Sequence, residues 1–300
     1  MTRSTLWLYV TAVLAIAGVG ATQPTFRTET RLVVLHATVK NDRGDLVTDL
    51  DRSAFSVFEN GRPQPVTLFR RDDVPVSLGL LIDNSGSMRT LRARVEAAAL
   101  ALVRASNPDD EVFVVNFADK VHVDVPMTRE IKAVEANIAR VDSIGGTALR
   151  DAVRLAEQYL RDHASRDRRV LLVVTDGKDN ASVATVKQIE AAAERSETSL
   201  FGIGLFADEG ASSKQGRREL EALTTRTGGV ARYPMTVNQI EPAALDLAKQ
   251  IRQQYTIGYT PTNQALDGTY RTIRVEARAE RRSERLSVHT RPGYRAERTP

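Results

Sequence analysis

The feature that most constrains the fold is a series of short apolar runs, each followed by a longer amphipathic stretch. Val76, Leu78, Leu80, Leu81 and Ile82 are interrupted only by Ser77 and Gly79, which predicts a strand buried on both faces. A helix carrying Leu91, Val95, Ala98, Ala99 and Leu102 follows, then a strand over Glu111–Phe117 and a short antiparallel edge near 121–125. The alternation continues with a helix through Leu149, Ala152, Val153, Ala156 and Leu160, a strand over 170–175 and a helix through Val186, Ile189 and Ala193. Next come a strand over Ser199–Gly204, a helix near Leu220 and Leu223, and a strand over 230–233. A last helix carries Ile240, Ala244, Leu247, Ala248 and Ile251. Strands spaced this way predict right-handed βαβ crossovers, hence an α/β fold with an open, doubly wound, mostly parallel sheet.

Both flanks have β texture. Branched residues over 32–39, the turn Asn41, Asp42 and Gly44, and the Asn60-Gly61 hairpin signal stand before the α/β region. Strands over Tyr255–Tyr259, Tyr270–Ala277 and 286–289 stand after it. Two or three strands alone are marginal, so the flanks are expected to pack together as a small β-sandwich-like module. The expected organisation is a signal peptide over 1–21, an N-terminal β segment over 22–74, the α/β domain over 75–256 and a C-terminal β segment over 257–300.

Composition removes several function classes. The chain has no cysteine, so thiolate nucleophiles, iron–sulfur ligands and cysteine-based zinc sites are excluded. His36, His122, His163 and His289 are scattered without HExxH spacing. The net charge of +4 comes from an arginine-rich C-terminal stretch, 271–298, in which acids are interspersed and aromatic residues do not interleave, so no nucleic-acid partner is expected. At the other end Arg3 precedes an apolar run over 6–19, followed by the small residues Gly20 and Ala21. That run falls short of the roughly 20 residues of a membrane-spanning helix, so export with cleavage near Gly20 or Ala21 is expected, an uncleaved anchor being the alternative. No later segment is apolar enough to span a bilayer, and the mature protein is expected to be secreted or periplasmic.

In a doubly wound sheet, ligands sit beyond the carboxyl ends of the strands. Three segments fall there: Asp83-Asn84-Ser85-Gly86-Ser87, Gly145-Gly146-Thr147 and Thr175-Asp176-Gly177. Their oxygen chemistry suits a hard divalent cation such as Mg²⁺. Asp83, Ser85 and Ser87 alternate along one turn, Thr147 adds a hydroxyl from a second loop, and Asp176 adds a carboxylate directly or through water. With few anionic ligands such an ion stays electrophilic and can accept a carboxylate from a partner.

At these residues the chain resembles the von Willebrand factor A family, in which DxSxS, a later threonine and an aspartate in a TDG-type turn form the metal-ion-dependent adhesion site. The resemblance spans roughly 75–256. It implies that Asp83, Ser85, Ser87, Thr147 and Asp176 coordinate Mg²⁺ or Mn²⁺, that a protein partner's Asp or Glu completes the site, and that the domain is an adhesion or binding module, not an enzyme. In some members the last helix, here 240–251, shifts to change affinity. The segments Asp42-Arg43-Gly44, Phe55-Ser56-Val57-Phe58-Glu59-Asn60-Gly61 and Arg291-Pro292-Gly293-Tyr294 resemble those of exported bacterial proteins carrying a related domain.

Competing readings are weaker. Asp and Ser also start helices for structural reasons. A haloacid dehalogenase-like, Mg²⁺-dependent phosphatase would use Asp83 as nucleophile, but its general acid would fall on Ser85, which cannot serve near neutral pH. No GxSxG elbow supports a serine hydrolase. The tripeptide Arg43-Gly44-Asp45 is accounted for by a turn, and Asp179 and Asn180 read as loop polars or helix caps beside the candidate site.

Overall fold

Residues 31–138, 144–206, 210–278 and 285–297 are described by a computed structural model of the chain. The export signal expected over 1–21 lies outside the described residues. In chain order the strands are β1 (Val33–Lys40), β2 (Phe55–Glu59), β3 (Arg62–Gln64), β4 (Val66–Arg70), β5 (Val76–Asp83), β6 (Glu111–Phe117), β7 (Val121–Thr128), β8 (Arg168–Thr175), β9 (Ser199–Gly204), β10 (Ala231–Arg232), β11 (Tyr255–Tyr259), β12 (Tyr270–Ala277), β13 (Ser287–His289) and β14 (Gly293–Arg295). The helices are α1 (Arg92–Arg104), α2 (Ile131–Ile138), α3 (Leu149–His163), α4 (Val186–Arg195), α5 (Ala211–Thr227) and α6 (Ile240–Arg252).

The apolar runs form one sheet of order β10-β9-β8-β5-β6-β7, parallel except for β7, which runs antiparallel to β6. Every residue of β5, β6 and β9 is buried, because helices cover both faces. On one face Leu78, Leu80 and Ile82 pack with Val95 and Leu102 of α1 and Leu247 of α6; on the other, Leu81 and Phe113 pack with Ala152 and Leu160 of α3 and Leu220 of α5. Gly79 serves that second face: a Cβ there would stand 2.5 Å from the Phe113 ring.

The chain leaves β5 towards β6 on one side and later returns to place β8 on the other. The strand order therefore reverses beside β5, and the crevice this opens lies at the carboxyl ends of β5 and β8.

The flanking strands build two antiparallel four-stranded sheets, β13-β1-β11-β4 and β14-β12-β2-β3. They share an apolar cluster that includes Leu35, Val57, Tyr255, Ile257, Tyr259, Ile273 and Tyr294. Within it Glu59, 3% exposed, accepts hydrogen bonds from the hydroxyls of Tyr259 (2.8 Å) and Tyr294 (2.9 Å) and from Arg271 (3.3 Å). Other C-terminal arginines are likewise engaged, Arg295 with Glu194 and Arg291 with the carbonyls of Ser196 and Glu194. The Arg43-Gly44-Asp45 tripeptide is a turn, with Gly44 at φ +84° and the N–H groups of Arg43 and Asp45 both donating to Asn41 Oδ1.

Three local differences from the sequence reading are physical. Between the DxSxS turn and α1 the chain makes a 3-10 turn over Gly86–Thr90, whose Met88 is buried. The last strand of the large sheet is two residues long, not the four of 230–233. The sequence reading also passed over α2, whose Val134 and Ile138 close the core beside β7.

Candidate metal centre

Asp83 ends β5 and is 1% exposed. Its Oδ1 accepts from the Ser85 backbone N–H at 2.8 Å, the local bond that bends the chain out of the strand, and its Oδ2 accepts from Thr175 Oγ1 at 2.6 Å across the crevice. Burial pushes its carboxyl up to about 6, and the negative charge of Asp176 adds to the rise, against the hydrogen bonds from Thr175 and Ser85.

From there a chain of oxygens crosses to the end of β8. Ser85 Oγ is 3.1 Å from Ser87 Oγ, and Ser87 Oγ donates to Asp176 Oδ1 at 2.8 Å, a contact between residues 89 apart in sequence. Asp176, at the turn after β8, is half-buried and its carboxyl is raised, burial being the main cause and the Ser87 bond opposing it. The set thus grades from buried Asp83 and Ser85 to exposed Ser87 and faces solvent at one end.

Thr147 arrives on the loop before α3. Its backbone N–H donates to Asn180 Oδ1 at 2.8 Å, and its carbonyl accepts from the N–H groups of Asn180 and Ala181. Its hydroxyl lies 3.2 Å from where a Cβ on Gly177 would stand, so the glycine after Asp176 admits it to the crevice. Among the described residues no hydrogen bond joins that hydroxyl to the other four side chains. The loop itself is fixed by Gly145 (φ +93°) and Gly146: the Gly145 carbonyl accepts from Gly86 N–H at 3.1 Å, and Gly146 N–H donates to Asp119 Oδ1 at 2.6 Å. A Cβ on Gly145 would meet the Asp119 carboxylate at 2.3 Å.

Sequence reasoning missed three contributors. Thr175 and Asn84, in segments already named but given no role, respectively hold Asp83 and donate to Asn116 (2.7 Å) at the carboxyl end of β6, and Asp119, which follows β6, anchors the Gly145-Gly146 loop. The rule that points to strand ends reaches Asp119 as readily as Asp83 when it is applied to β6. Asp179 is 4% exposed and accepts from the Arg150 backbone and guanidinium and from Ser182, so it caps the start of α3. Asn180 orients Thr147.

The donor set of two carboxylates and three hydroxyls fits a small hard cation. Neither carboxylate is paired with a cationic side chain among the described residues. In an octahedron around Mg²⁺ adjacent ligand oxygens stand roughly 2.9 Å apart, and the Ser85–Ser87 and Ser87–Asp176 spacings bracket that value. Soft-metal chemistry does not fit. No cluster of three or more His, Cys, Asp or Glu occurs among the described residues, so hydroxyls must take part in any cation site here.

A family model described as von Willebrand factor type A domain matches residues 78–178. Among solved structures, a von Willebrand factor type A protein from Catenulispora acidiphila superposes with a TM-score of 0.52 at 12% identity, covering 90% of this chain and 74% of that one. A D319A mutant of the PilB minor pilin from Streptococcus sanguinis gives 0.51 at 11% identity, over 61% of this chain and 63% of that one. Proximal thread matrix protein 1 from the mussel byssus, described with a zinc-occupied MIDAS motif, gives 0.51 at 16% identity, over 64% and 49% respectively. No curated protein matches the sequence significantly. At these identities the structural likenesses speak for the fold. Von Willebrand factor type A domains are generally protein-interaction modules, some with a metal-ion-dependent adhesion site. Residues 78–178 of this chain thus match the von Willebrand factor type A domain model, and its α/β part shares the fold of such domains.

Proposed function

We propose that Asp83, Ser85, Ser87, Thr147 and Asp176 hold a Mg²⁺-class ion, Mg²⁺ or Mn²⁺, and that the protein is an exported, metal-dependent protein-binding module of the adhesion type. The observation that carries the reading is the 2.8 Å bond from Ser87 to Asp176, which brings oxygens of two separate loops to cation-sharing distance at the strand-order reversal. When bound, such an ion supplies an open coordination position for an acidic side chain. The chain's own residues do the rest. Thr175 fixes the Asp83 carboxylate, Asn180 and Gly177 position Thr147, and exposed Ser87 leaves the site open to a partner. Ile144 and Val183, 66% and 86% exposed, stand on the loops next to Gly145 and Ala181 and offer apolar contact beside the site. Binding needs no turnover, and no proton-transfer pair is required of these residues. Export is inferred from residues 1–21; among the described residues no helix is long and apolar enough to cross a membrane.

The test is metal uptake and partner capture together. Asp83→Ala and Ser87→Ala are expected to abolish Mn²⁺ binding measured by calorimetry and to lose partners captured from envelope extracts in Mg²⁺, with circular dichroism unchanged. Partners retained equally in chelator, or wild-type protein that takes up neither ion, would overturn the proposal.

A further inference from the structure

A cleft of about 630 Å³ opens between α3 and α4, on the sheet face that carries Phe113 and Leu171. Its inner wall is apolar, made by Val153, Ile189, Leu200 and Leu223, all buried. The small side chains of Ala192 and Ala193 on α4 leave the space open. It lies at the amino end of β8, whereas Asp176 follows the carboxyl end of that strand. By strand rise the two are about 23 Å apart, so the cleft is separate from the candidate metal centre.

Four arginines line it, and three are matched. Arg154 pairs with Asp151 at 3.3 Å, Arg161 with Glu157 at 3.7 Å and Arg195 with Glu297 at 2.7 Å. Arg169 has no ion pair among the described residues, and its Nε is closed off from water with no hydrogen-bond acceptor. Arg169 itself lines the cleft, so a carboxylate bound there would meet a guanidinium that has no ion pair among the described residues. Glu157, beside it, does not fill the role: both its oxygens accept from Ser196 Oγ at 2.9 Å.

We propose that this cleft binds a small amphipathic monocarboxylate, with its apolar body against Val153, Ile189 and Leu200 and its carboxylate on the Arg169 guanidinium. Each part of the ligand follows from one part of the site. Arg169 is the lining arginine without an ion pair among the described residues and calls for one negative charge; a dianionic phosphate would bring a second charge to a cleft that Glu157, Asp162 and Glu197 also line. A neutral ligand would leave Arg169 as it is. The inner wall of Val153, Ile189, Leu200 and Leu223 favours a hydrocarbon body over a sugar or a nucleotide.

Octanoate is the probe, titrated into the full chain, with acetate supplying the charge without the body and 1-octanol the body without the charge. Octanoate is expected to bind one to one, at least tenfold tighter than either control. Arg169→Gln should weaken octanoate at least tenfold and leave 1-octanol unchanged, and Ala192→Phe should block both, with thermal midpoints reporting that each variant is folded. Methyl NMR of the unaltered protein gives a readout that does not depend on any variant folding: octanoate should shift the Ile189, Leu200 and Leu223 methyls. Octanoate no tighter than 1-octanol, equal binding by folded Arg169→Gln, or methyl shifts confined elsewhere would each overturn the assignment.

Discussion

Replacing Glu157 by Gln should stabilise the protein at alkaline pH and do almost nothing in acid. Glu157 is 8% exposed on α3, and burial lifts its carboxyl from 4.5 to about 7. The folded chain therefore holds this proton more tightly than the unfolded chain does. The stability it contributes is fully present below pH 4.5, falls as the unfolded chain releases its proton above 4.5, and is lost once pH passes through 7. A carboxyl displaced this far corresponds to roughly 3 kcal/mol. Gln is neutral at every pH and nearly isosteric. Its Oε1 can accept from Ser196 and its Nε2 can donate to the same hydroxyl. The lost ion pair with Arg161, which is 45% exposed, costs at most about 0.5 kcal/mol. Urea unfolding of both proteins at pH 4.5 and pH 8.5 isolates the group, because all other titrations are common to the two. The variant's advantage should grow by about 2–3 kcal/mol between those pH values. An advantage that stays constant, or one that shrinks with rising pH, would refute the account of Glu157 as an acid kept neutral by burial.

Three further outcomes follow from named contacts. Thr175→Val removes the 2.6 Å donor to Asp83 Oδ2 without changing side-chain volume much, and should weaken Mn²⁺ uptake about 10–100-fold by calorimetry with secondary structure intact. Glu59→Ala takes the shared acceptor from Tyr259 and Tyr294 and leaves Arg271, 1% exposed, with only the more distant Asp267 as a carboxylate partner; unfolding in urea should show a loss of about 3 kcal/mol. Gly229→Ala would set a Cβ 1.9 Å from the Leu200 carbonyl, where backbone must move, so a loss of about 3 kcal/mol is expected in thermal unfolding.

Much of the α/β architecture was legible because burial on both faces leaves a mark that survives in sequence. The run ending at Ile82 has no room for a polar residue larger than Ser77, and every position of β5 is buried. The terminal strands were legible for a different reason, the Asn60-Gly61 turn, in which Asn60 takes φ +48° and Gly61 φ +77°. What failed was short or depended on neighbours. With only two turns, α2 gives a stripe of Ile131, Val134 and Ile138 too brief to separate from the strand before it. β10 pairs with β9 only through Ala231 with Gly202 and Arg232 with Ile203, and no residue of 230–233 encodes that.

The candidate site divides along the same line. Asp83, Ser85 and Ser87 form a local pattern, and local patterns can be read. Their partner Thr175 and the anchor Asp119 depend on which strands become neighbours, and strand order is a property of the folded sheet. Arg168 and Arg169 make the point within two residues. Arg168 turns to one face of β8, bonds the Ile251 carbonyl and donates to Gln254 at 2.6 Å, and Gln254 in turn donates to Thr38 of β1; the last helix and the terminal sheets are thereby tied to the large sheet. Arg169 turns to the other face and meets the cleft between α3 and α4. Identical side chains one residue apart thus have unrelated surroundings, because alternation along a strand sends them to opposite faces. Since that strand also ends in Thr175 beside Asp83, one rigid element spans the cleft at its start and the candidate metal centre at its end. A substitution such as Arg169→Gln should therefore change carboxylate binding while leaving Mn²⁺ uptake as it was, and a loss of both would point to damage of the strand rather than of either site.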